Sequence, residues 1–309
     1  MWSISEAKTF QRCQRQWFYK NILGSATAKD ALRQRAYRLS KLESISAWRG
    51  NIVDDTISNF VIPALRNGYP PSLEATKRHA LESFERQLAF GRGHSLWGKL
   101  SPAQAGPDFA AFHSMEYEGS LSTDEIESAR EEVLRALTNL YGMHEIKTRM
   151  RTAEYLVPQR ALMFRHTDQT VRAVPDLIAF YRDRPPLIFD WKVHVFGLQE
   201  AWLQLAVYAL ALLRATPHKD FPAALQNVRE TDVRLVEIQL LKNEVREYSL
   251  DDDDVERAES YMAESILDIS MVTRGLKHPE LIPEDFLVTQ YPEVCTRCNF
   301  RSLCWKENK

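Results

Sequence analysis

The chain has 309 residues, 44% of them hydrophobic and 27% charged, a balance that describes a folded globular protein and argues against a disordered one. Forty basic and 42 acidic side chains leave a net charge of -2, which neither requires nor excludes a nucleic-acid partner. No apolar run reaches the roughly 18 to 20 residues of a bilayer span, and the opening MWSISEAKTF lacks the basic-then-apolar layout of a signal peptide, so no membrane association and a cytoplasmic location are expected.

Charge is distributed unevenly. Residues 1–50 carry ten basic side chains, Arg12, Arg15, Arg33, Arg35 and Arg38 among them, against Glu6, Asp30 and Glu43. Such a surplus suits a phosphate track, and equally a solvated helical surface. The periodicity predicts helices over 4–21, opened by Ser3 or Ser5, over 44–67, ending before Gly68 and Pro70, and over 72–90. Residues 91–121 read as a loop excursion, and a further helix is expected over 123–143. Beyond Thr152 the character changes to short β-prone runs at 153–157, 161–166, 171–181 and 187–193. A helix over 198–214, strands at 233–241 and 245–250, and a helix over 252–273 capped by Asp251 follow, and the tail after Pro279 has little periodicity. An α/β core wrapped by an N-terminal helical region is the expected architecture.

The four cysteines are Cys13, on the first predicted helix, and Cys295, Cys298 and Cys304, spaced Cys-x2-Cys-x5-Cys. Four thiols with none left over fit a metal chelate better than two independent disulfides in a chain without a secretion signal. Zinc and an iron-sulfur cluster both take four cysteines, so the spacing leaves the choice open.

The most informative segment is Val174-Pro175-Asp176 followed by Asp190-Trp191-Lys192 on the next strand. Residues two apart on a strand share a face, so Asp190 and Lys192 point together out of the otherwise apolar LIFDWKV. Buried charge there is costly unless compensated, either by a structural ion pair or by a divalent cation shared with Asp176. A magnesium site open to phosphate favours carboxylate ligands, and a neighbouring lysine would serve hydrolytic phosphodiester chemistry. On the second predicted helix, Gly50, Asp54, Ile57 and Val61 form one stripe, which places an acid on an apolar face and leaves Asp55 on the polar side. Gln204 and Tyr208, four apart, are neighbours on the 198–214 helix.

Together these residues resemble the iron-sulfur branch of the PD-(D/E)XK nuclease superfamily, as in RecB-type nuclease domains and the nucleases associated with CRISPR adaptation. Ser3-x-Ser5 through Phe10, Cys13 and Trp17-Phe18-Tyr19 resembles that family's first helix, and Cys295, Cys298 and Cys304 its C-terminal cysteine triplet. The resemblance implies a [4Fe-4S] cluster in preference to Zn2+, joining the termini of a restriction-endonuclease-like α/β fold with a mixed central sheet flanked by helices. It implies one nuclease domain over 1–309, with a helical region at 1–150 carrying Cys13 and Asp54, the core at 151–275 and the cluster-binding tail at 276–309. By the same resemblance Glu154 is the acid of the first core strand, Asp176 and Asp190 hold Mg2+ or Mn2+, Lys192 assists the attacking water, and Gln204 and Tyr208 contact substrate or brace the site. Two positions depart from the family pattern: Gly50-x3 leads to Asp54 in place of histidine, and Ala173 stands where a glycine is common. Carboxylate can replace imidazole on magnesium or manganese.

The implied function is a metal-dependent DNA nuclease, an exonuclease on single strands or ends in repair, recombination or anti-phage defence, with Arg15, Trp17 and Tyr19 as guides for the strand or as packing residues. The alternative is a weak or inactive DNA-binding scaffold working with a helicase or another nucleic-acid-processing protein, a reading favoured only by Asp54. Cleavage of RNA is not separable from cleavage of DNA by sequence.

Overall fold

The structure is a computed structural model that describes residues 1–93, 102–193, 201–216, 218, 221, 225 and 227–305. The chain forms two compact units, each assembled from three stretches. The first comprises Met1–Trp2, Ile45–Glu85 and Thr123–Ala263; the second comprises Ser3–Ser44, Arg86–Ser122 and Glu264–Lys309. The helical region 1–150 therefore contributes to both, Asp54 to the first and Cys13 to the second.

The first unit contains a five-stranded mixed sheet. Its strands are β1 (Tyr155–Pro158), β4 (Leu177–Phe180), β5 (Leu187–Lys192), β6 (Arg234–Gln239) and β7 (Glu244–Tyr248), neighbouring one another in that order, while β2 (Leu162–His166) and β3 (Gln169–Ala173) form a separate hairpin. Only β5 and β6 are parallel; the other pairs are antiparallel. A parallel pair needs a crossover, and the Ala201–Arg214 helix lies between β5 and β6 in sequence and packs on both as well as on the hairpin. Residues 198–200 of the predicted helix lie outside the described residues. Leu205 to Leu212 of this helix are all buried, as are Leu187 to Trp191 of β5, which explains why both read as nearly continuous apolar runs.

The run 171–181 was expected as one strand and is instead broken between β3 and β4. Val174-Pro175-Asp176 fills the break: Pro175 has no N–H to give to a ladder, so the chain leaves the hairpin there and enters the main sheet at Leu177. The predicted helix over 44–67 is present as Ile45–Thr56, a widened π-turn at Ile57–Val61, and Ile62–Arg66. Pro63, which cannot donate into the preceding turn, accounts for the widening. This helix packs on Thr123–Gly142, where Arg49 pairs with Glu132, and its Trp48 ring lies 4.3 Å from that of Phe84 on the Leu73–Gly93 helix. Arg49 also donates to the Val193 carbonyl, fixing the end of β5. Asp251 caps the Asp252–Thr273 helix by accepting from Asp254 N at 2.8 Å. Among the described residues no helix is long and apolar enough to cross a membrane.

The second unit is organised by aromatic packing. The predicted helix over 4–21 is interrupted at Cys13, whose backbone is extended (φ -163°, ψ 107°) between helices Ile4–Arg12 and Gln14–Phe18. The tail supplies what the interruption releases: Arg15 N donates to Leu287 O at 3.1 Å, and Gln14 Oε1 accepts from Leu287 N at 3.1 Å. Ser3 caps the first helix, accepting from Glu6 N at 3.3 Å. Phe18 stacks on Phe286 at 4.6 Å and Tyr19 on Phe300 at 5.6 Å, so a tail without periodicity is anchored ring by ring. Trp17 and Tyr19 belong to this core, at 6% and 4% exposure, so of the two expected roles they take packing and not strand guidance. Helices at Ala31–Leu39 and His113–Tyr117, and at His144–Arg151 in the first unit, were not anticipated.

A carboxylate and lysine site on the sheet

Asp190 and Lys192 share a face of β5, as strand alternation requires, with Lys192 Nζ 2.6 Å from Asp190 Oδ2. Asp190 is 1% exposed, and an isolated carboxylate at that depth would cost several kcal/mol. Gln204, on the crossover helix, bridges both partners: Nε2 donates to Asp190 Oδ1 at 3.2 Å and to the Tyr208 hydroxyl at 2.6 Å, while Oε1 accepts from Lys192 Nζ at 3.4 Å. The i, i+4 pair thus meets as its spacing implied.

Asp176 enters just before β4, at the end of the sheet where Leu177 pairs with Phe189. Its Oδ2 accepts the Trp191 backbone N–H at 2.8 Å. Asp54 comes from the Ile45–Thr56 helix, where Ser58 donates to its Oδ1 at 3.4 Å and the Gln159 side-chain amide donates to its Oδ2. The indole N–H of Trp191, buried without a hydrogen-bond partner among the described residues, lies near enough to favour the charged form of Asp54.

The charge of Asp190 disfavours ionisation of the other two acids. Burial first, then the charges of Asp55 and Asp190, push the Asp54 carboxyl up to about 6. Burial, followed by Asp190 and Asp54, holds Asp176 well above the usual carboxylate range, against the opposing pull of the Trp191 N–H and Lys192. For Lys192, burial works against the ammonium, but Asp190, Asp176 and Glu237 outweigh it and its pKa is raised. Burial and the charges of Asp190 and Asp176 raise Tyr208, keeping its phenol protonated. A set of mutually repelling acids around one ammonium suits a hard divalent cation.

Glu154 is not brought into this group. The register of β1, Tyr155 opposite Phe180 and Pro158 opposite Leu177, puts Glu154 at the other end of the strand from Asp176, where it is exposed and paired with Arg182 at 3.4 Å. The residue just beyond the near end of β1 is Gln159, whose backbone N–H donates to the Asp176 carbonyl at 3.0 Å. Two further polar residues went unpredicted. Glu237 lies opposite Asp190 and Gln239 opposite Lys192 across β5 and β6, and both are buried. Glu237 accepts from the Tyr248 hydroxyl at 2.6 Å and from Gln239, with Arg246 at 3.7 Å. An acid inside the apolar RLVEIQ strand was the signal that could have found Glu237, the same signal that found Asp190.

In the second unit Cys13, Cys295, Cys298 and Cys304 are free thiols that line one pocket, together with Arg15, Tyr19 and Arg301. Burial first, then the charges of the other three thiols, push Cys298 up to about 12. Cys13 Sγ accepts from Gln16 N and Cys298 Sγ from Phe300 N, each at 3.4 Å. Thiols converging under N–H donors fit a thiolate-bound metal or cluster in donor chemistry. Among the described residues, no three or more His, Cys, Asp or Glu side chains stand as a formed metal-binding group, so both sets would have to draw in around a cation.

A mixed sheet carrying a buried acid-lysine pair at its parallel seam, with a second acid entering at the adjacent strand, defines a nuclease-like α/β core. The chain belongs to the PD-(D/E)XK nuclease superfamily, whose family model matches residues 1–305, and its fold is restriction-endonuclease-like. No curated protein matches the chain. Among solved structures, the crystal structure of SSO0001 matches at 11% identity and a TM-score of 0.29, over 64% of this chain and 80% of that one.

Proposed function

We propose that the chain is a metal-dependent deoxyribonuclease that hydrolyses phosphodiester bonds, acting as an exonuclease on single-stranded DNA or DNA ends in repair, recombination or anti-phage defence. The observation that carries this reading is the buried Asp190–Lys192 pair bridged by Gln204, with Asp176 and Asp54 nearby and charge-coupled to it. Asp54, Asp176 and Asp190 would hold Mg2+ or Mn2+, which supplies positive charge for the phosphate and acidifies the attacking water. Asp176 is aimed by the Trp191 N–H, which fixes one of its oxygens and leaves the other available. Lys192, held cationic by Asp190, is placed to donate to the water or to an anionic phosphate oxygen. Gln204 and Tyr208 hold Asp190 and Lys192 in one arrangement, since a rotation of either side chain breaks a bond to Gln204. Glu154 has no part in this assignment.

Cys13, Cys295, Cys298 and Cys304 would hold a [4Fe-4S] cluster, or Zn2+, with a structural role, and residues 1–309 would work as a single nuclease module. Such an enzyme would act in the cytoplasm, and a helicase is a fitting partner to supply unwound strands. The second reading, a catalytically weak DNA-binding scaffold, is favoured by Asp54 in the place of histidine.

The test is cleavage of end-labelled single- and double-stranded DNA in Mg2+ or Mn2+ by aerobically and anaerobically purified wild type and Asp190→Ala. Metal-dependent degradation lost in the variant supports the enzyme. Binding without cleavage in every metal, by protein that retains its thiol-bound group, replaces it with the scaffold.

A further inference from the structure

Gln159 stands at the turn after β1 with φ +45°, the left-handed region that is strained for a residue with a side chain and that glycine adopts freely. Its main chain and side chain are both engaged, and both hold acidic residues of the site. The backbone N–H donates to the Asp176 carbonyl at 3.0 Å, and the side-chain amide donates to Asp54 Oδ2. Asp176 lies at the mouth of β4, while Asp54 lies on a helix more than a hundred residues earlier.

We infer that Gln159 is a positioning residue that ties the Asp54 carboxylate to the main chain of Asp176, so that both acids present to one divalent cation. The inference rests on the metal-site reading above and adds a residue to it. Three observations favour this role over that of an incidental surface glutamine. Gln159 is exposed, so its conformation is not imposed by packing, and the strained φ is retained where a glycine would relieve it. With Gln159 on Oδ2 and Ser58 on Oδ1, Asp54 is fixed through both oxygens by donors that lie on different elements. A neutral donor orients a carboxylate without neutralising it, which leaves the negative charge available to a cation, as an arginine in the same place would not.

The sharpest variant is Gln159→Gly, which removes the amide while permitting the left-handed turn. Magnesium binding to the full chain is measured by titration calorimetry for wild type, Gln159→Gly, Asp54→Ala and the double variant, with thermal melting of each in the absence of magnesium. The expected result is an Mg2+ affinity about tenfold weaker in Gln159→Gly, the loss of one charge-assisted hydrogen bond, with melting unchanged or raised. In the Asp54→Ala background the same substitution should then have no further effect. Gln159→Asn, which tolerates the turn but has a shorter reach, should lie between the two. Equal Mg2+ affinity in wild type and Gln159→Gly, or an equal loss with and without Asp54, overturns the inference. Wild type that binds Mg2+ with this coupling but cleaves no DNA overturns the nuclease reading and leaves the Gln159 role standing; wild type that binds neither Mg2+ nor Mn2+ overturns both.

Discussion

The carboxylate site and the thiol pocket pose one physical problem and solve it with different materials. In each, burial and like charges oppose ionisation of the acidic groups, raising Asp54 and Asp176 in the first and Cys295 and Cys298 in the second. The carboxylates stand on β5, at the start of β4 and on a helix braced by Arg49, with Lys192 as a resident countercharge. The thiols are mounted at the break of an interrupted helix, on the short helices Pro292–Thr296 and Arg301–Cys304, and, for Cys298, between those two, held by rings. The regular scaffold should therefore keep its shape without a ligand, while the irregular one should depend on what it binds.

The largest effect expected is on catalysis. Asp190→Ala should lower cleavage by at least about a thousandfold, with the sheet intact by circular dichroism; residual activity above that level would move the reaction away from β5. Next, if the thiols hold iron or zinc as proposed, Cys13→Ala should remove it and destabilise the second unit by about 3 kcal/mol or more. Hydrogen exchange should show protection lost in 3–44, 102–122 and 264–305 and kept in β4 to β6. Equal loss in both regions would erase the contrast drawn above. Gly91→Ala probes the second unit without touching a thiol: a Cβ there would lie 2.3 Å from the ring of Phe112, which is buried, so a loss of about 1–3 kcal/mol is expected in chemical denaturation.

The smallest effect is a pH dependence confined to the first unit. Asp54, whose ordinary pKa is 3.8, is pushed up to about 6, so the folded state retains a proton that the unfolded chain has released. That contribution is complete below the unfolded value and is lost as pH rises through about 6. Protein free of divalent cation should melt a few degrees higher at pH 5 than at pH 7, and Mg2+ should restore the difference at pH 7. Asp176→Asn, which retains an acceptor for the Trp191 N–H, should raise the metal-free melting temperature at pH 7 while abolishing cleavage. A metal-free protein more stable at pH 7 than at pH 5 would contradict the coupling of the acids.

What the sequence disclosed divides along the same line. Asp190 with Lys192, and Gln204 with Tyr208, were legible because strand and helix periods fix which neighbours meet, and those periods survive folding. The break at Cys13 was not, because the partners that stabilise it, Leu287 and Phe286, belong to the distant tail. Glu154 was carried by resemblance to a strand position, whereas the register of β1 set it at the far end and left Gln159 near the acids. Glu237 is visible as an acid in an apolar strand, but its partner Tyr248, on a strand that reads as exposed, is not.

The way the two units are threaded through the chain has a consequence for biosynthesis. Each is made of three separated stretches, and the first is not complete until Ala263. A growing polypeptide therefore cannot finish one and then begin the other. The sheet must wait for β6 and β7, and Cys13 must wait for Cys295, Cys298 and Cys304, which follow all the strands in sequence. Contacts between such distant segments form slowly. Until Phe286 and Phe300 are made, the aromatic cluster around Phe18 and Tyr19 lacks the rings that stack on it, and apolar surface left open in this way favours aggregation.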